Sequence, residues 1–369
     1  NSLLASVPSL PRARMSVEDV RGSWLADLEV RGFRMTRGDS VLVHVDTLRV
    51  QYGFLDLLAG RIHITQLDLA GVGVSAGVLE PRAPEPGRPP LSIADLLRGR
   101  FSRGPAIAVD RASLRRGSFG ADAAPADSGL RVEGLDLALR DLKLGRGFAL
   151  TLDSLAARLR SPAPENAWAR LHVAGRVADG RADVRTLQLV SAASDVSGSG
   201  ALAAAAAADS LGEIRIALHG QRIALGDVRG FIRGFDAEGD VTADIDVHGP
   251  RMDRLSGSVN ARAGNVRTGG LTLGPSQLNA ALTDGRAEVT VTTAHEGAGL
   301  AASGWIRALD ADPAYDVTLR MDRLPQRLKG VAGWEQLAQR TPTSADVRVR
   351  GHGYAHAVLD LTGAAKSAA

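Results

Sequence analysis

The sequence of 369 residues contains no cysteine. Disulfides, thiolate metal sites and cysteine nucleophiles are therefore excluded. Aromatic residues make up only 4% of the chain, so its apolar surface consists of Leu, Val, Ile and Ala. Lysine is confined to Lys143, Lys329 and Lys366, and the formal charge of +3 arises from interspersed arginines and carboxylates. Because no run of basic residues could follow a phosphate backbone, we expect no nucleic-acid partner.

Long apolar runs are also missing. The longest, Ala201 to Ala208, is mostly alanine and is far shorter than the ~18 to 20 apolar residues of a transmembrane helix. The chain begins at Asn1 and ends in an alanine-rich tail. We therefore expect a piece of a longer protein, truncated at one or both ends, with any membrane anchor outside this chain.

What the sequence has in abundance is one spacing: apolar, any, apolar, any, any, apolar, any, apolar. The period of two within each pair is that of a β-strand. The step of three would move the next side chain to the other face, so a bulge or bend is needed there. The pattern predicts curved strands with one apolar face. It occurs as Val43, Val45, Leu48 and Val50; Ile62, Ile64, Leu67 and Leu69; Ile107, Val109, Ala112 and Leu114; and Leu137, Leu139, Leu142 and Leu144.

Three segments follow from the breaks in this pattern. Residues 1–78 begin the strand array, and residues 79–104 contain a proline-rich loop and a short helix starting at Ser92. Residues 105–369 continue the strands. No strand–helix–strand rhythm occurs, which disfavours a parallel α/β sheet. We predict an all-β fold: a long, continuous, curled antiparallel sheet that forms a hydrophobic groove, with a few short helices.

Two stretches resemble a known family. Val17 to Trp24, with Leu28 to Gly32 and then Leu57-Leu58-Ala59-Gly60-Arg61, resembles the start of TamB-like proteins of the wider AsmA-like superfamily. Gly239 to Gly249, followed by Leu255 to Val259, resembles the repeated core unit of that superfamily. The resemblance covers roughly residues 15–325.

The resemblance implies a periplasm-spanning protein anchored in the bacterial inner membrane. Its β-groove would carry phospholipid acyl chains between the inner and outer membranes, without enzymatic activity or a cofactor. An outer-membrane BamA-like partner would be contacted through a C-terminal region that is not visible here.

Side chains at the alternating apolar positions are the candidate lining of the groove. They are Val43, Val45, Ile62, Ile64, Leu137, Leu139, Ile214, Ile216, Leu218, Val241, Ile245, Val247, Val289, Val291, Val317 and Leu319.

Two short motifs have a catalytic or metal-binding interpretation that we consider the weaker one. Gly73 to Gly77 fits the G-x-S-x-G hydrolase motif, but proline-rich sequence follows it instead of a helix. His352 and His356 are four residues apart, but the surrounding pattern is that of a strand and no glutamate follows His352. We therefore assign no catalytic or metal-binding residue.

Two alternatives to lipid transport remain open. The chain could be a chaperone-like factor that offers strand edges to outer-membrane proteins during their translocation and assembly. It could also be a closed structural β-sandwich, in which the apolar stripe is the dry core.

Overall fold

A computed structural model describes most of the chain. The described residues are 13–23, 25–58, 61–75, 97, 106–120, 131–145, 147–161, 167–205, 211–229, 236–268, 271–295, 298–307, 314–322, 344–352 and 356–364. The chain divides into two compact units, an N-terminal unit of residues 1–189 and a C-terminal unit of residues 190–369. Of the predicted proline-rich loop and helix over 79–104, only Leu97 lies within the described residues, where it is helical and buried.

Strands dominate the described chain, as the alternating apolar positions predict. The first ten are β1 (Ala13–Ser16), β2 (Asp19–Ser23), β3 (Asp27–Arg37), β4 (Ser40–Tyr52), β5 (Ile62–Val74), β6 (Ile107–Phe119), β7 (Arg131–Leu144), β8 (Phe148–Arg160), β9 (Trp168–Ala178) and β10 (Arg181–Ser191). The others are β11 (Asp195–Ala204), β12 (Leu211–Ala224), β13 (Ala237–Glu238), β14 (Asp240–Gly249), β15 (Ser256–Ala263), β16 (Val266–Thr268), β17 (Leu271–Leu273), β18 (Ser276–Thr283), β19 (Arg286–His295), β20 (Ala298–Arg307), β21 (Ala314–Met321), β22 (Ser344–His352) and β23 (His356–Ala364).

Within the described residues, helical structure is limited to short pieces. Helix α1 (Phe54–Leu58) connects β4 to β5, and α2 (Leu225–Arg229) follows β12. A 3-10 turn (Met252–Arg254) connects β14 to β15. The described helices are too short and not apolar enough to cross a membrane.

The sheet of the N-terminal unit runs strand by strand from β3 to β9, where β10 pairs with β9, and β1 and β2 both pair with the outer edge of β3. The pairing of β5 with β6 is parallel, unlike the antiparallel arrangement predicted from the sequence. Parallel neighbours need a long crossover, and more than thirty residues separate Val74 from Ile107.

The sheet of the C-terminal unit runs in the order β11, β12, β14, β15, β18, β19, β20, β21, β22, β23, entirely antiparallel. The short strands β13, β16 and β17 form a small side ribbon. No pairing among the described strands closes either sheet on itself. The predicted all-β fold, a long curled sheet with a few short helices, is confirmed, and the sheet is not closed.

Backbone irregularities lie at the three-residue steps, as the spacing predicts. Pairing on both sides of β4 is interrupted at Asp46, and its neighbours there, Gly32 and Gly71, have φ of +61°. Asp141 in β7 has φ of +53° and interrupts the pairing with β6 at Asp110. In a regular strand, a step of three would move the next apolar side chain to the other face of the sheet. A residue in the left-handed region interrupts the alternation, so the apolar residues before and after the step lie on the same face and pair with apolar partners.

Candidate ligand-binding face

The apolar residues of the C-terminal unit form straight rows across neighbouring strands. We call this surface the apolar face. Because eight strands, β12 to β22 without the side ribbon, keep one continuous register, each row crosses all of them. The rows are Leu218, Ile245, Val259, Ala280, Val289, Gly304, Val317 and Val349; Gly220, Ala243, Ala261, Leu278, Val291, Ala302, Leu319 and Val347; and Ile216, Val247, Gly257, Leu282, Ala287, Ile306, Tyr315 and Gly351.

The N-terminal unit repeats this arrangement across seven strands, β3 to β9. One row contains Val30, Leu48, Leu69, Leu114, Leu137, Leu155 and Val173. The parallel pairing of β5 with β6 leaves the row intact, since Leu69 lies beside Leu114. With strands about 4.8 Å apart, such rows are about 30 Å long.

Most of the predicted lining residues are half-exposed. Of the sixteen, only Ile214 and Val247 are buried, with 0% and 6% exposure, and the other fourteen are intermediate. None of these fourteen is fully buried, as a residue in a close-packed core would be, and none of them is among the exposed apolar residues. The described apolar face is therefore partly accessible to solvent.

Ile214 and Val247 are the exception because a turn covers them. The loop after β14 brings Leu255, 4% exposed, onto both residues to form a small hydrophobic core. Ile216 and Ile245 pack against this core but stay half-exposed. Of the predicted lining, Ile214 and Val247 are thus residues of a small core.

The register also brings in lining residues that the sequence-based selection omitted, among them Val259, Leu278 and Ile306. Val259 and Leu278 alternate with polar residues just as the selected ones do, so the same period-two signal could have identified them, whereas Ile306 follows the aromatic Trp305. Interruption by Ala and Gly, as at Ala280 and Gly304, makes the alternation in these strands weaker.

The opposite face of each sheet is polar and carries cross-strand ion pairs, and we call it the polar face. Arg140 of β7 bonds Asp153 of β8 at 2.8 Å, and Arg320 of β21 bonds Asp346 of β22 at 3.0 Å. The two guanidinium nitrogens of Arg348 contact Asp316 at 2.6 and 2.7 Å, and Arg348 thereby lowers the pKa of Asp316. These exposed pairs add little stability but satisfy the charges of a water-facing surface.

A histidine connects α1 to the sheet. His63 of β5 bonds the Asp56 carboxylate of α1 through Nδ1 at 3.1 Å and Asp110 of β6 through Nε2 at 3.0 Å. These hydrogen bonds, first to Asp110 and then to Asp56, raise the pKa of His63. His63, together with Arg61 at 3.0 Å, lowers the pKa of Asp56. The cluster is therefore an ion-pair network that holds α1 against β5 and β6.

The two motifs with a possible chemical role lie in strands or directly after them. Ser75 follows β5, is 3% exposed, and its backbone N–H donates to the carbonyl of Leu42. His352 and His356 are direct partners in the β22–β23 hairpin rather than neighbours on a helix. No cluster of His, Cys, Asp and Glu in the described part of the chain could hold a metal ion.

A serine, a histidine and an aspartate also form one row on the polar face, beside a shallow depression of about 290 Å³. Ser197, His219 and Asp244 are successive cross-strand partners, and the Nδ1 atom of His219 lies 2.5 Å from Asp244. The Ser197 hydroxyl, however, donates to the main-chain carbonyl of His219 at 3.5 Å, not to its imidazole. The row thus lacks the contact between nucleophile and base that acyl transfer needs.

Comparison of the chain with protein-family models, with curated proteins and with solved structures found no match.

Proposed function

We propose that this chain is a non-enzymatic lipid-transfer protein of the TamB-like kind, which carries phospholipid acyl chains along its apolar face. The observation that carries the proposal is the set of in-register aliphatic rows whose side chains are half-exposed. A continuous apolar surface of this extent needs a partner to shield it from water. Acyl chains fit it because the rows are long, aliphatic and nearly free of aromatic side chains.

The uniform polarity of the rows favours movement of an acyl chain along the apolar face over tight binding at one position. Each methylene removed from water contributes about 0.8 kcal/mol, whether a bilayer or an aliphatic protein surface covers it. Successive positions along a row, such as Val289, Gly304 and Val317, differ in size but not in polarity. A chain that slides from strand to strand therefore meets no polar barrier and no deep minimum.

The polar face complements this role. Its Arg–Asp pairs and small polar residues keep the sheet in solution while the apolar face is occupied. From the resemblance of residues 15–325 to TamB-like proteins, we place the protein in the periplasm, between an inner-membrane anchor and the outer membrane.

The test is native mass spectrometry on protein purified without detergent, combined with organic extraction and lipid analysis. We expect co-purified phospholipid in amounts close to or above one molecule per chain. Protein that is folded, free of lipid and unable to take up a fluorescent phospholipid from vesicles contradicts the proposal.

The chaperone-like alternative is favoured by one feature, a strand edge. Among the described strands, β23 is paired only with β22, and strand edges can pair with an extended client peptide. Tight binding of unfolded outer-membrane protein, with no lipid, would support this function. The closed sandwich is disfavoured, because it would bury the fourteen half-exposed lining residues.

A further inference from the structure

Four arginines from three neighbouring strands meet on the polar face of the N-terminal unit. Arg131, the first residue of β7, is the cross-strand partner of Arg160, the last residue of β8. One pair further along, Arg158 of β8 is the direct partner of Arg170 of β9. We call these four residues the arginine cluster.

An indole lies within this cluster. Trp168, the first residue of β9, is the cross-strand partner of Arg160. The guanidinium carbons of Arg158 and Arg170 lie 5.6 and 5.7 Å from the centre of its ring. Cation–π contacts at this distance orient both guanidiniums but leave their charges uncompensated.

The acidic groups that the structure describes around the cluster are too few to neutralise it. Among the described residues, Glu133 is the one carboxylate in contact with it: Glu133 is the cross-strand partner of Arg158, and its Oε1 lies 3.4 Å from Nε of Arg160. That Nε atom is buried and makes no hydrogen bond. Within the described chain, Arg131, Arg158 and Arg170 contact no carboxylate, so the group carries a net charge of about +3.

This arrangement departs from the rest of the polar face. Elsewhere an acid lies beside the arginines: Arg222 faces Asp240 at 3.1 Å, and Arg140, which is the cross-strand partner of Arg111, bonds Asp153 on its other side at 2.8 Å. Like charges directly opposite each other destabilise a sheet, so the placement of Arg158 against Arg170 costs stability unless an anion lies between them. Guanidinium groups bind phosphate oxygens with paired hydrogen bonds, which makes phosphate the matching anion.

The cluster lies at one end of the sheet, at the start of β7 and β9 and the end of β8. Val132, Leu159 and Ala169 occupy the apolar positions next to it and pair with one another. A lipid whose tails cover this end of the apolar face could therefore place its head group over the strand ends, beside the arginines.

We infer that the arginine cluster binds the phosphate group of the transported lipid. This inference rests on the proposed lipid-transfer function and adds a polar contact to it. The chemistry recognised is that of a phosphate ester, and free inorganic phosphate offers the same oxygens. The experiment must therefore separate a lipid from the free ion.

The test compares two soluble short-chain ligands with the same acyl chains, a phosphatidylglycerol and a diacylglycerol. Both are titrated into the full chain and into the double variant Arg158→Gln/Arg170→Gln. We expect wild type to bind the phosphatidylglycerol about tenfold more tightly, and the variant to lose this preference while its affinity for diacylglycerol stays unchanged. The variant should melt no lower than wild type, because the opposed charges are removed.

The matched control is Arg111→Gln/Arg262→Gln. It removes two exposed arginines that have no acidic partner among the described residues and lie outside the cluster. Any of three results overturns the inference. The variant Arg158→Gln/Arg170→Gln could keep the preference for phosphatidylglycerol, the control could lose that preference equally, or the variant could lose affinity for both lipids in parallel.

If wild type binds neither lipid, the proposed function fails and inorganic phosphate becomes the decisive probe. A phosphate-induced rise in the melting temperature of wild type that is absent from Arg158→Gln/Arg170→Gln would assign the cluster to free phosphate and overturn its role in lipid binding. No rise in either protein would overturn the anion site itself.

Discussion

Leu218 of β12 and Ile245 of β14 are direct cross-strand partners on the apolar face, and both are half-exposed. Two large aliphatic side chains in the middle of a regular sheet would be buried if a second layer covered them. Their partial exposure favours an open face over a closed core, and several substitutions can test the difference.

Ile245→Asp is expected to abolish lipid co-purification while the protein stays folded. The carboxylate can reach water when the face is empty but is desolvated whenever an acyl chain covers it. We expect a loss of about 1–2 kcal/mol in unfolding free energy, against several for an unpaired charge in a closed core. Thermal melting and lipid analysis measure both effects. Thr290→Asp, on the polar face, should retain its lipid, and an unfolded Ile245→Asp protein would support the closed sandwich.

A photo-crosslinking amino acid at position 319 should capture phospholipid, whereas one at position 320 should not. Leu319 is in a row of the apolar face between Ala302 and Val347, and Arg320 bonds Asp346 on the polar face. Mass spectrometry of the crosslinked protein gives the answer. Equal capture at both positions, or at neither, would contradict the assignment of the faces.

Ile214→Ala should cost far more stability than Val289→Ala. Ile214 is fully buried against Val247 and Leu255, so the smaller side chain leaves a cavity and a loss of about 2–4 kcal/mol. Val289 is half-exposed and should lose less than about 1 kcal/mol. Urea denaturation of both variants checks this. Equal losses would mean that the apolar face is as buried as the small core.

Gly71→Ala should destabilise the N-terminal unit by about 1–2 kcal/mol. Gly71 has φ of +61°, and a methyl group there would overlap the carboxylate of Asp46. Arg116 has φ of +56° without being glycine. Arg116→Gly should therefore leave the unfolding free energy unchanged or raise it by up to about 1 kcal/mol. Denaturant midpoints for both variants test the left-handed backbone geometry. A Gly71→Ala variant whose unfolding free energy equals that of wild type would contradict it.

The contact between α1 and the sheet should weaken as pH rises. Because Asp110 and Asp56 raise the pKa of His63, protonated His63 adds stability that is fully present below about pH 6.5 and is lost as pH rises through the raised value. Melting curves should show that His63→Gln lowers the melting temperature, relative to wild type, more at pH 6 than at pH 8.5.

The control for this pH series is His248→Gln, whose imidazole contacts no carboxylate within the described residues. We expect its melting temperature to differ from that of wild type by the same amount at both pH values. If the melting temperature of His63→Gln also lies below that of wild type by the same amount at both pH values, the role assigned to the His63 hydrogen bonds is contradicted.

The sequence by itself determined where strands form and which of their residues are apolar. Alternation such as Val241, Ala243, Ile245 and Val247 is a local property, since successive side chains of a strand point to opposite faces. The three-residue steps likewise indicated the backbone breaks found at Asp46 and Asp141. These features depend on a few consecutive residues and can be recognised without knowing any neighbour.

Only the tertiary structure decided which strands become neighbours. The parallel pairing of β5 with β6, the burial of Ile214 and Val247 under Leu255, and the meeting of Arg158 with Arg170 all depend on partners distant in sequence or on the register between strands. A one-residue slip between β8 and β9 would remove the like-charge pair without changing any local pattern. The interspersed charges of the sequence therefore gave no sign that four arginines share one end of the sheet.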